Sequence, residues 1–171
     1  MLYAATPVTV GPHPFRTLAH THLGHYRRLM RISDVVKRKG ATVVTVRSDA
    51  SVTELLDLLA EHRIGAVVVS DDGQSLAGIV SERDVVRHLQ KDGAQVLEQP
   101  VSSIMTSEVQ TCSPDDQLVD LEHTMTELRI RHVPVVVDGR LTAIVSIGDV
   151  VKHRITDLQA ERDQLSAYIQ Q

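Results

Sequence analysis

From residue 42 the chain falls into short apolar runs separated by polar turns. Thr42-Val43-Val44-Thr45-Val46 is rich in β-branched residues and predicts a strand. Ser51-Val52-Thr53-Glu54 has the capping-box pattern and predicts a helix start, after which Leu55, Leu58 and Leu59 form one apolar stripe. Val67-Val68-Val69 and Ile79-Val80-Ser81 predict two strands around the turn Asp71-Asp72-Gly73. A last helix is predicted to open at Ser81.

The same order then recurs. Val109-Gln110-Thr111-Cys112 predicts the strand. Ser113-Pro114-Asp115-Asp116 predicts an N-cap, a proline at the first helical position and early acids, with Leu118, Leu121 and Met125 as the stripe. Val133-Pro134-Val135-Val136-Val137, the turn Asp138-Gly139 and Ile144-Val145-Ser146 complete the copy. Glu61-His62-Arg63-Ile64 matches Glu127-Leu128-Arg129-Ile130, Asp84-Val85-Val86 matches Asp149-Val150-Val151, and His88 matches His153. The copies are offset by 66 residues before the turn and 65 after it. One β-α-β-β-α unit is too small to bury both of its faces. The expected fold is therefore α/β (α+β), with tandem units related by a pseudo-two-fold. The expected division is a flexible extension over residues 1–29, repeats over 30–92 and 93–155, and a C-terminal helix over 156–171. In that helix Ile155, Leu158, Leu165 and Ile169 follow an a/d-like spacing, interrupted by Arg162.

Composition narrows the function. Hydrophobic residues make up 42% and charged residues 23% of the 171, an ordinary globular balance, with a net charge of −4. No apolar run approaches the roughly 20 residues needed to span a bilayer, and no secretory signal is evident, so a cytoplasmic protein is expected. Basic residues dominate no long stretch, and Tyr3, Phe15, Tyr26 and Tyr168 all lie near the ends, leaving no stacking platform for nucleic acid. Cys112 is alone and reads as a small strand residue. His20, His22 and His25 fit neither one helical face nor a zinc-finger spacing, so no metal is expected.

The endings Gly78-Ile79-Val80-Ser81-Glu82-Arg83-Asp84 and Ala143-Ile144-Val145-Ser146-Ile147-Gly148-Asp149, with the order of elements, resemble cystathionine-β-synthase-type (CBS) domain pairs, or Bateman modules. The resemblance covers roughly residues 30 to 155. It implies that Ser81 and Ser146 contact phosphate and that Asp84 and Asp149 hold ribose. The residues alone allow a second reading, in which each serine is only an N-cap and each aspartate only favours the positive helix end. Arg131-His132 precede the strand of the second repeat, where the first has Gly65-Ala66, so the second cleft is expected to be the better phosphate site. Arg83 is a partial substitute in the first. Ala143 departs from the glycine usual in the family. The resemblance places the base near Val43 and Val67 in one cleft, where Gly65-Ala66 leave room for a bulky group or a close backbone approach, and near Val109, Val133 and Pro134 in the other, with Ile104 and Met105 lining the second. For these apolar residues plain core packing is the competing reading.

The expected function is a stand-alone regulatory module, without catalytic residues or a required cofactor. It binds an adenine nucleotide (AMP, ADP, ATP or a related adenosyl ligand) and signals by conformational change to an unknown downstream protein. Disc-like association, common in the family, implies a homodimer. Competing readings are an interaction scaffold with vestigial clefts and an NAD(H)-binding redox sensor. CBS pairs also occur inside enzymes such as inosine-monophosphate dehydrogenase, but a catalytic barrel requires hundreds more residues.

Overall fold

Helices begin where a side chain can satisfy an orphan amide. At Ser51 the hydroxyl accepts from the Glu54 amide at 3.2 Å, and the Glu54 carboxylate accepts from the Ser51 amide at 2.7 Å. The predicted capping box thus starts helix α2 (Val52–His62). The computed structural model describes residues 30–40 and 42–169. The expectations for residues 1–29, including the histidine cluster, lie outside the described residues.

The first repeat runs β1 (Thr45–Val46), α2, β2 (Ala66–Val69), β3 (Gly78–Ser81) and α3 (Glu82–Asp92). Its sheet has the order β1-β2-β3, with β1 parallel and β3 antiparallel to β2. The second repeat contains α4 (Leu118–Glu127), β4 (His132–Val137), β5 (Arg140–Ser146) and α5 (Ile147–Ile169). β4 and β5 pair antiparallel with an irregularity between Val135 and Val136.

Two predicted elements are shorter than their patterns. Of Thr42–Val46 only the last two residues pair with β2, and of Val109–Cys112 only Cys112 bridges Val135. The single contact is a true counterpart. Val136 donates to the Cys112 carbonyl at 2.9 Å, as Ser70 donates to Val46 at 2.9 Å one repeat earlier. Cys112 is buried, and that burial pushes its thiol up to about 12, so it is an inert core residue.

Helix α4 starts at Leu118, not at the predicted Ser113-Pro114. Pro114 and Asp116 instead offer their carbonyls to the amides of Ser33 and Ile32, at 2.9 and 3.0 Å, and Gln117 bridges Arg31. Backbone groups committed to another segment cannot enter a helix, so its start is delayed.

That segment leads into a helix the sequence reading did not anticipate, α1 (Ile32–Lys39). It crosses to the other repeat: Ile32 and Val35 are buried with Cys112, Leu118, Leu121, Met125, Val133, Val145 and Val150. The connection after α3 crosses the opposite way, through two 3-10 turns (Gly93–Glu98 and Val101–Ser103). Val96, Val101 and Ile104 are buried with Val52, Leu55, Leu59, Val67 and Val80. There are thus two cores, each completed by a segment from elsewhere in the chain. No helix among the described residues is long and apolar enough to cross a membrane.

Candidate functional site

Each repeat ends in a strand that turns directly into a helix. In both, the amide of the first helical residue donates to the loop before the central strand: Glu82 to Gly65 at 3.1 Å, and Ile147 to Arg131 at 2.8 Å. The register then sets Ala66 opposite Ser81 and His132 opposite Ser146. The residues singled out in the sequence as asymmetric therefore lie beside the two serines.

The serines and aspartates form local boxes. Asp84 Oδ2 accepts from the Ser81 amide at 2.9 Å and the hydroxyl at 2.6 Å. Asp149 Oδ2 accepts from the Ser146 amide at 2.8 Å and the hydroxyl at 2.7 Å, and the Asp149 amide donates back to Ser146 Oγ at 3.2 Å. In both copies the aspartate caps back to the serine amide, and the second copy also has the serine-hydroxyl cap. All four residues are half-buried, so each box is reached from the surface.

The second cleft holds a cation absent from the sequence reading. Lys39, at the end of α1, donates to Asp149 Oδ2 at 2.7 Å and to the Ile144 carbonyl at 3.1 Å. In the first repeat the counterpart carbonyl, Ile79, accepts instead from the Thr106 amide at 2.9 Å. Burial raises the Asp149 carboxyl, but Lys39 and the Ser146 amide and hydroxyl outweigh it and hold the group below the usual carboxylate range. For His132, burial and then Lys39 push the imidazole down from its ordinary value, so it is neutral at pH 7. Asp149 and Glu82 pull the other way without prevailing. Arg131 is exposed and forms no ion pair among the described residues.

Lys39 and Asp149 also border a cavity of about 160 Å³ between α1 and α5, with Val35, Arg38, Lys152, His153 and Thr156. His153 is buried, and its Nδ1 has no hydrogen-bond partner among the described residues. Its repeat counterpart His88 bonds Asp92 at 3.0 Å. A wider, open hollow of about 580 Å³ lies between the end of α2 and the start of α3, where Arg63, Gly65 and Glu82 meet Leu56 and Leu59. It includes neither Ser81 nor Asp84.

The apolar candidates are divided between the cores. Val133 and Pro134 are buried in β4, and Val109 is half-buried on the approach to Cys112. Ala66 and Val67 are buried in β2, Val43 is half-buried, and Arg83 is exposed. Ile104 is buried in the first core and Met105 packs against it. Both residues therefore adjoin the first cleft rather than the second, where Lys39 enters. Among the described residues, no group of three or more His, Cys, Asp or Glu side chains is arranged to hold a metal.

The CBS domain family model matches residues 32–91 and 101–155. The CBS domain-containing protein CBSX3, mitochondrial, of Arabidopsis thaliana is 37% identical over 147 residues, covering 81% of this chain and 71% of that protein. The solved CBS-domain containing protein ATU1752 from Agrobacterium tumefaciens is 47% identical, with a TM-score of 0.71, over 73% of this chain and 99% of that one. The CBS domain pair of protein MJ0100, solved with 5-methylthioadenosine and S-adenosyl-L-methionine, is 25% identical, with a TM-score of 0.64, over 72% and 98%.

Proposed function

The chain belongs to the CBS-domain family, and we propose that it is a regulatory module whose ligand is an adenine nucleotide held chiefly in the Asp149 cleft. One observation carries this reading: Ser146 and Asp149, at a helix start, are joined by the Lys39 ammonium, with His132 paired opposite Ser146 and Arg131 next to it in the chain. A carboxylate in this position can accept two adjacent ribose hydroxyls, and helix-start amides with a nearby guanidinium suit phosphate. Val109, Val133 and Pro134 supply the apolar side for a base. The first cleft offers Ser81 and Asp84 with Val43, Ala66, Val67 and Met105. The adenosyl ligands of the MJ0100 pair support adenine as the base.

Regulation follows from the packing. Lys39 belongs to a helix from one end of the chain and Asp149 to a helix at the other, so a ligand that separates them shifts α1 against α5. The reading assigns binding roles only, and nucleotide turnover by the purified protein would contradict it. The test is thermal unfolding with adenine, guanine and nicotinamide nucleotides. Ligand at about 100 times its dissociation constant adds roughly 2.7 kcal/mol to stability. The expected result is a shift with an adenine nucleotide, lost in Asp149→Ala. No shift with any nucleotide favours a scaffold with vestigial clefts, and a shift with NADH alone favours a redox sensor.

A further inference from the structure

The two clefts share a backbone plan and differ in charge. In the second, Lys39 on Asp149 is joined around the adjoining cavity by Arg38 and Lys152, and Glu82 acts on the His132 beside Ser146. In the first, the corresponding sequence positions hold Gly65 and Ala66, and Met105 packs against Gly78. Glu82 stands against Gly65, so Glu82 and Asp84 outnumber Arg83. Among the described residues, no Lys or Arg pairs with Asp84.

We propose that the clefts select different chemical classes of ligand. The Asp149 cleft takes an adenine nucleotide bearing phosphate, the Asp84 cleft takes an uncharged or cationic adenine nucleoside, and Lys39 is the specificity-determining residue. This rests on the adenine-binding reading above and goes beyond it by assigning ligand class to each cleft.

The chemistry turns on what Lys39 already does. Its ammonium occupies Asp149 Oδ2, an acceptor a ribose would need. A nucleoside that takes this carboxylate leaves the ammonium without a counter-charge. A nucleotide brings its own, so Lys39 exchanges a carboxylate for a phosphate and the ribose gains Asp149. The adjoining cavity, with Arg38 and Lys152 on its wall, gives phosphate oxygens room and further positive charge. The buried His153 ring borders the same space. Among the described residues, no cation holds Asp84 as Lys39 holds Asp149, and Glu82 in the first cleft repels phosphate.

The test is calorimetric titration with ADP and with adenosine. In Asp84→Ala protein, which retains the second cleft, ADP is expected to bind at least about tenfold tighter than adenosine, the scale of one charge-assisted hydrogen bond. Adding Lys39→Met is expected to weaken ADP about tenfold while adenosine holds or improves, because Asp149 is released. Lys39→Arg is expected to keep the preference for ADP, which separates charge from mere occupancy of the site. In Asp149→Ala protein, adenosine is expected to bind at least as tightly as ADP. Equal affinities in the Asp84→Ala protein, parallel losses with Lys39→Met, or a surviving ADP preference in Asp149→Ala each overturn the proposal. So does failure of adenosine to bind the Asp149→Ala protein. If wild-type protein binds neither compound, the adenine reading falls as well; if wild type binds both but each single-cleft variant binds both without discrimination, only the division between clefts falls.

Discussion

Gly78 has no room for a side chain. A Cβ there would lie 2.7 Å from Met105 Sδ and 2.9 Å from the Thr106 carbonyl. The thioether can move, but that carbonyl is tied to the Ile79 amide at 3.0 Å. Gly78→Ala is expected to cost about 1–3 kcal/mol of unfolding free energy in denaturant melts. Ala143→Gly, at the matching place in the second repeat, is expected to cost only about 0.5–1 kcal/mol, from backbone freedom. His132 gives a pH signature. Its folded pKa lies below the ordinary 6.5, so on acidification the unfolded chain takes up this proton first. The stabilisation from neutral His132 is present above the unfolded pKa and is lost as pH falls through it toward the folded value. A bound phosphate reverses the local field, so binding takes up a proton and affinity rises as pH falls below 7. His132→Gln should remove this part of the slope in calorimetric titrations at several pH values, and an unchanged slope would remove His132 from the site. The Ser-x-x-Asp boxes were legible because each is made within four consecutive residues. Lys39 was not, because it meets Asp149 across 110 positions. The only hint was its place in the basic run Lys37-Arg38-Lys39 before Gly40.

At the scale of elements, local signals succeeded where local bonds decide. Ser51 and Glu54 satisfy each other's amides, and the helix starts where they say. Ser113-Pro114 carries an equally good signal, yet the carbonyls beyond it are drawn into pairing with residues 32 and 33. No pattern within residues 113–118 encodes that partner. The crossing of α1 was equally hidden, since its apolar positions suit either core. It has a measurable consequence. Ile32→Ala is expected to cost about 2–5 kcal/mol, as a buried large-to-small change does. Hydrogen exchange should show the loss of protection first in β4 and β5, where Ile32 packs, although β2 and β3 are nearer in sequence. Loss confined to β2 and β3 would contradict the crossed packing.

For the whole molecule, the internal repeat carried most of the fold, because two copies in register specify one pseudo-symmetric arrangement. It did not carry association. Helix α5 leaves Ile155, Leu158 and Leu165 more than half exposed along its length. These positions sit at near-heptad spacing, as a helix paired with a second copy would need. If the protein is a homodimer through this face, Leu158→Glu should shift it to monomer in sedimentation equilibrium without lowering the stability of either core. An unchanged mass, or a wild-type monomer, would exclude that dimer. Nucleotide sensing rests on the Asp149 cleft. Calorimetric titration of ADP into wild-type and Asp149→Ala protein is the decisive measurement. Saturable binding to the wild type is expected, weakened about tenfold or more in the variant. Absence of binding to the wild type, or equal affinity in the two proteins, would contradict it.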